Sequence, residues 1–264
     1  MTTNTEQQRA IWYVSGLAEV LAGPGSQGPA DPIVRFDRYR RTRTSGPLNA
    51  SPYSLGHTAR RRLDQWGYVV LDDIESLSTA EELVGSVGEL MPRYPVTDDC
   101  SYSQGPKPIS VHTEAPGRQL GPAYVALFCH RKGRSSGGHT DLLDVRKLVG
   151  ALDADELALM TDAVLHFPGP DGGVHTTMLS TDADGNTVTR FSHDLLTVAD
   201  GPLCEAGRRL AHRIGDLFRE LRTRVVIPDG SLLIWDNQRM LHARPKRHDR
   251  MRLTEFWSTD WRRS

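Results

Sequence analysis

Lysine is almost missing from this chain. Lys107, Lys132, Lys147 and Lys246 are the only four among 32 basic residues, a compositional bias that says nothing about chemistry. An excess of either charge is missing too, because 33 acidic residues leave a formal net charge of -1. That balance excludes a general electrostatic pull towards nucleic acid or an anionic membrane. No apolar run approaches the ~18 residues of a membrane span, and Met1 to Arg9 is polar, so the expected location is the cytoplasm. Cysteine is scarce: Cys100, Cys129 and Cys204 are odd in number and far apart. This excludes a secreted disulfide framework and leaves reduced thiols, with Cys129 a small buried side chain in the apolar run Tyr124 to Cys129.

What is present is an ordinary globular composition, 38% hydrophobic and 25% charged, over 264 residues, enough for one sizeable core. A single catalytic domain is expected over 1–264, with a helix and an irregular segment in 1–58 ahead of a core in 59–264. Helical spacing marks Gln8 to Ala22, Ala59 to Gly67, a helix opened by Ser78 with Leu83, Val87 and Leu90 as its stripe, Asp144 to Leu159 in two pieces, and Leu203 to Leu221. Strand candidates are Tyr68 to Leu71, Ile109 to Val111, Ala123 to Cys129, Ala163 to Phe167, Thr176 to Ser180, Val188 to Phe191, Val225 to Ile227, Ser231 to Trp235 and Arg252 to Trp257. Asp184-Gly185 marks a hairpin between two of them. Many short strands with flanking helices predict a mainly β fold of α+β type, a double-sheet jelly roll or distorted double-stranded β-helix.

The chemistry concentrates in two places. His112-Thr113-Glu114 follows a strand candidate, and residues two apart on an extended chain point to the same face, so His112 and Glu114 can share one metal ion. His242 follows the strand Leu232 to Trp235 and the polar turn Asp236-Asn237-Gln238, which carries it to the open end of a sheet. Two imidazoles and one carboxylate form the facial triad of non-haem iron(II) oxygenases, leaving positions open for substrate and O2. The same ligands would suit a zinc hydrolase, and a non-catalytic jelly-roll binding protein could retain them.

With these residues in order, the chain resembles the TauD and clavaminate synthase-like family of iron(II), 2-oxoglutarate-dependent oxygenases. The matching segments are Trp66 to Leu71, His112-Thr113-Glu114, Gly137-Gly138-His139-Thr140, Asp236-Asn237, and His242-Ala243-Arg244 with the basic stretch ending at Arg252. The resemblance implies iron ligation by His112, Glu114 and His242, with 2-oxoglutarate as cosubstrate and O2 as oxidant. It implies Thr140 and an arginine, Arg252 or Arg250, as the partners of the distal carboxylate of 2-oxoglutarate. Such a carboxylate needs a bidentate cation and a hydroxyl donor to replace its hydration. Asn237 and Asp236 are expected behind His242, supporting the ligands. The retained Glu114 argues against halogenation. Hydroxylation of a C–H bond of a free polar amino acid or a derivative from specialised metabolism is the leading expectation, with desaturation, epoxidation or cyclisation left open.

The chain departs from its relatives in one respect. Members often carry a second arginine four residues beyond the first, where this chain has Phe256, or Thr254 if Arg250 is the match. A substrate anion must then be met elsewhere, by Arg118, Arg239 or Arg244. Asp194 is the candidate for a substrate amine or guanidine, with Gln104 and Ser103 as further pocket residues. The partner is a small-molecule substrate, and the sequence leaves monomer and homo-oligomer equally open.

Overall fold

The computed structural model describes residues 33–34, 53–91, 108–131, 139–169, 172–182, 185–193, 204–244 and 252–259, with 33, 34, 131, 204 and 252 described by backbone alone. The strands in chain order are β1 Ile33–Val34, β2 Tyr68–Leu71, β3 Ile109–His112, β4 Tyr124–Arg131, β5 His139–Asp144, β6 Leu165–Phe167, β7 Val174–Thr176, β8 Leu179–Thr181, β9 Thr187–Thr189, β10 Thr223–Val226, β11 Leu232–Asp236, β12 Met240–Arg244 and β13 Arg252–Ser258. The helices are α1 His57–Trp66, α2 Leu77–Gly85, α3 Val145–Val149, α4 Ala154–Asp162 and α5 Cys204–Leu221.

Two sheets carry the architecture. One runs β1-β2-β11-β4-β13 and the other β10-β5-β12-β3, with β6-β7 and β8-β9 as separate hairpins. All pairings are antiparallel apart from β1 with β2. Alternation sorts the side chains. Tyr68, Val70, Val125, Cys129, Leu142, Val225, Leu233, Trp235 and Met240 meet between the two sheets. Val69, Leu71, Ala126, Phe128, Leu232, Ile234 and Phe256 face outwards beneath α1 and α2, against Leu63, Ala80 and Leu83. On the opposite outer face, Val111, Leu143 and Leu241 pack beneath α3, α4 and α5, against Leu148, Met160, Ile214 and Phe218. This is the layered jelly roll expected of the pattern, mainly β with helices on both outer faces.

Local chemistry sets the ends of the elements. The cap of α2 is Ser76, whose side chain accepts from the Thr79 backbone N–H, two residues earlier than the expected Ser78. Asp153 and Glu156 form a reciprocal capping box on α4, which separates it from α3. The single strand expected over Thr176 to Ser180 is two strands, β7 and β8, belonging to different hairpins. Gly185, at φ 81°, turns the β8-β9 hairpin where the Asp-Gly signal placed it. The helix expected over Gln8 to Ala22 lies outside the described residues. Among the described residues no helix is long and apolar enough to cross a membrane.

Candidate functional site

His112 ends β3 and His242 sits in the middle of β12, and the two are direct cross-strand partners. Both point between the sheets, because their neighbours Val111, Leu241 and Ala243 pack on the outer face. Their ring centroids stand 4.1 Å apart. Glu114 closes the group: its Oε2 lies 3.6 Å from His112 Nε2 and 3.5 Å from His242 Nε2. One donor atom from each of the three residues falls within a 4.8 Å sphere of mutual distance, the one such group of three among the described residues.

The surroundings prepare these atoms as ligands. His112 Nδ1 contacts the Ser110 carbonyl at 2.8 Å. A carbonyl can only accept, so the proton sits on Nδ1 and the lone pair of Nε2 faces Glu114. Trp235 packs against the His242 ring at 5.1 Å between centroids. Thr113 points the other way and is buried, exchanging hydrogen bonds with Phe191: its N–H donates to the Phe191 carbonyl at 2.8 Å and its hydroxyl accepts from the Phe191 N–H at 3.1 Å. The middle residue of the tripeptide thereby anchors the two ligands on either side of it.

Asn237 fixes Glu114 from behind. Its Oδ1 accepts from the Glu114 N–H at 2.7 Å, and its Nδ2 donates to the carbonyls of Glu114 at 3.1 Å and Pro122 at 2.9 Å. Asp236 accepts from the Gln238 N–H at 3.0 Å and shapes the turn into β12. After Glu114 the chain reverses through Ala115, at φ 50°, into a loop that Arg190 holds by donating to the carbonyls of Pro116, Arg118 and Gln119. Gly117 is required there, because a Cβ would stand 1.9 Å from the Pro168 carbonyl oxygen.

Electrostatics favour a cation at this point. Burial opposes ionisation of Glu114, but hydrogen bonds and charge from His112 and His242 hold its carboxyl well below the usual carboxylate range. Burial, the charge of His112 and that of Arg244 push His242 down to about 4 against the pull of Glu114, so it is a neutral donor at pH 7. For His112 burial works against the proton, yet the bond and charge of Glu114, the Ser110 carbonyl and the charge of Glu255 raise it. Two neutral-capable imidazoles and an ionised carboxylate on one face, with a buried His242 Nδ1, suit a divalent transition metal.

Thr140 is buried on β5, beside β12, and shares the inward face of Leu142. Arg252 begins β13, and only its backbone is described; Arg250, Asp194, Gln104 and Ser103 lie outside the described residues. The register of β13 on β4 shifts between Arg252 and Leu253, so alternation counted from Thr254 does not carry across to Arg252. Phe256 and Thr254, the positions that stand where relatives carry a second arginine, face outwards: Phe256 is in the cluster beneath α1 and α2, and Thr254 bonds His130 at 2.7 Å. The inward positions are instead Leu253, Glu255 and Trp257, which counting from the arginine had passed over.

The register of β12 on β3 also shifts after His242, and Arg244 lines a cavity of about 340 Å³ on the outer face, with Ile109, Asp141, Phe218, Arg222 and Arg224. The charge of Arg244 reaches His242. Arg239 is spent on structure, bridging Asp144 at 3.2 Å and the Asp64 carbonyl at 2.8 Å. Arg118, another of the three arginines proposed for a substrate anion, lies 4.8 Å from the Trp257 ring centroid.

The profile of the family described as taurine catabolism dioxygenase TauD, TfdA family matches residues 45–257. No curated protein sequence matches the chain. Among solved structures, asparagine oxygenase in complex with Fe(II), 2S,3S-3-hydroxyasparagine and succinate shares 19% identity, with 79% of this chain and 82% of that one covered at a TM-score of 0.61. The non-heme iron oxygenase OrfP in complex with Fe, succinate and (3S)-hydroxy-L-Arg shares 18% identity over 78% of this chain and 79% of its own, at a TM-score of 0.56. The PvcB protein from Pseudomonas aeruginosa shares 14% identity over 76% and 78%, at a TM-score of 0.58.

Proposed function

The chain belongs to the TauD, TfdA family and is an iron(II)- and 2-oxoglutarate-dependent dioxygenase, and on that premise we propose that it hydroxylates a C–H bond of an amino acid or a close derivative, with His112, Glu114 and His242 as its iron ligands. The observation that carries this reading is the convergence of those three donors, one from each residue, on the inward face of two paired strands. When bound, iron(II) with 2-oxoglutarate and O2 supplies an oxidant strong enough for an unactivated C–H bond, releasing succinate and CO2.

The protein's own residues position and protect. Ser110 sets the tautomer of His112, Asn237 fixes the backbone of Glu114, and Trp235 packs the ring of His242. Thr140, buried on the inward face of the next strand, would hold the distal carboxylate of 2-oxoglutarate together with Arg252 or Arg250. The hydroxyl and the guanidinium replace the hydration that this carboxylate loses. The amino-acid class is taken from the asparagine and arginine products held by two structural relatives. The proposed enzyme is a single catalytic domain over 1–264, with its jelly-roll core in 59–264, working in the cytoplasm.

The test is anaerobic reconstitution with iron(II) and 2-oxoglutarate. A metal-to-ligand charge-transfer band is expected, and it should vanish in Glu114→Ala and weaken strongly in Thr140→Val. A panel of free amino acids should then perturb the band and stimulate succinate formation under air. An iron-loaded protein without the band defeats the ligand and cosubstrate assignments, and a band that no amino acid perturbs defeats the substrate class.

A further inference from the structure

The wall facing the three donors from the other sheet carries a charge of its own. Leu253 and Trp257 of β13 pack against the core between the sheets, and Glu255 lies between them on the same face. Glu255 and Trp257 are both half-buried, within reach of a ligand and partly shielded from water. The indole N–H of Trp257 donates to Glu255 Oε1 at 2.6 Å, which fixes the carboxylate in one orientation. Arg118 stacks its guanidinium over that indole, and its loop is held by Arg190 and by the close contact of Gly117 with Pro168. Glu255 is therefore oriented by Trp257, and Arg118 adds an opposite charge over the same ring.

β13 is tied to the donors through the backbone, since the loop after Glu114 lays Arg118 over Trp257 and the Ala123 N–H donates to the Ser258 carbonyl at 2.9 Å while the Ala123 carbonyl accepts from the Asn237 N–H at 2.8 Å. A half-buried carboxylate loses hydration, which a cationic hydrogen-bond donor restores better than any neutral group. We propose that Glu255 is the residue that selects the substrate, accepting hydrogen bonds from a protonated amine or guanidinium, and that Trp257 is the positioning residue that aims it. The inference rests on the location of the metal centre given above, and not on the amino-acid class.

The experiment measures binding without turnover, by calorimetric titration of protein loaded with Mn(II) and 2-oxoglutarate. The probes are L-arginine, L-lysine, agmatine, cadaverine, L-norleucine and L-glutamate. Wild-type protein is expected to bind at least one cationic probe, and Glu255→Gln to bind it about 10- to 100-fold more weakly. Glu255→Asp should retain part of the affinity, and Trp257→Phe should lose selectivity for charge while L-glutamate binding stays as it was. Loss shared by L-norleucine identifies the α-ammonium group; loss in L-arginine or L-lysine with L-norleucine binding unchanged identifies the side-chain cation, and agmatine and cadaverine show whether the α-carboxylate is needed. Binding of the simple amines without any amino acid upholds Glu255 and removes the amino-acid reading. Amino acids bound with equal affinity by wild type and a Glu255→Gln protein of unchanged Mn(II) content and circular dichroism overturn the role of Glu255 and leave that reading standing. A wild-type protein that binds no cationic probe overturns it as well.

Discussion

Asn237 illustrates how the ligand residues depend on a neighbour that never touches the ion. Its side chain satisfies one N–H and two carbonyls in a buried position, and no other residue type offers a donor and an acceptor in that arrangement. Asn237→Ala should cost at least about 2 kcal/mol in urea denaturation, because buried polar groups are left without partners. Iron affinity should fall about 10- to 100-fold in the same variant, read by metal titration. A second prediction concerns acid. Binding requires both imidazoles unprotonated; His112 has its proton affinity raised and His242 is neutral down to about pH 4. Metal affinity should therefore hold on the alkaline side and fall as pH drops through the raised His112 value, by about tenfold per pH unit with one proton displaced per ion. The limb belonging to His242 should appear only nearer pH 4. A Mn(II) titration from pH 8 downwards shows whether one proton or two is displaced in the first limb.

At the scale of elements, the loop from Ala115 to Gly121 is the part least tolerant of added volume. Gly117→Ala places a methyl group 1.9 Å from the Pro168 carbonyl oxygen, so backbone must move. A loss of about 1–3 kcal/mol is expected in thermal or chemical unfolding, the range for overpacking. Gly172→Ala has open space around its Cβ and is the control for volume, although its φ of 87° carries a strain of its own. The ligand strand β3 and its partner strand were not equally legible in the sequence. The alternation Ile109-Ser110-Val111 before His112 and the apolar runs of β4 and β11 announced themselves, because one or both faces are apolar. β5 is hidden in the sequence since His139, Thr140 and Asp141 interrupt its pattern with polar groups, Asp141 among them pairing with Arg222 and Arg224 at its outer face. β12 is hidden for the same reason, His242 and Arg244 breaking its apolar pattern and the pairing with β3 shifting between them. The identity of the three donors was legible from order and residue type. Glu255 was not, because its facing depends on which side of β13 meets the core, and the irregular pairing at Arg252 hides that parity.

For the whole molecule, an ion held by the three donors would join residues from two strands of one sheet and the loop that follows the first. A ligand bound by the folded chain alone raises its stability by about 2.7 kcal/mol at a hundred times its Kd. In a chain of this size that corresponds to a rise of roughly 5–10 °C in Tm. Mn(II) under anaerobic conditions should produce this shift, a chelator should reverse it, and Glu114→Ala should abolish it, as followed by calorimetry. The direct pairing of His242 with His112 has one more consequence. A strand displaced by a single position would turn His242 out beneath α5 and leave the pair broken. Metal content then works as an assay of folding fidelity: misaligned molecules in a preparation should pass through an iron-loading step empty, and the occupied fraction should count the chains whose strands found their proper partners.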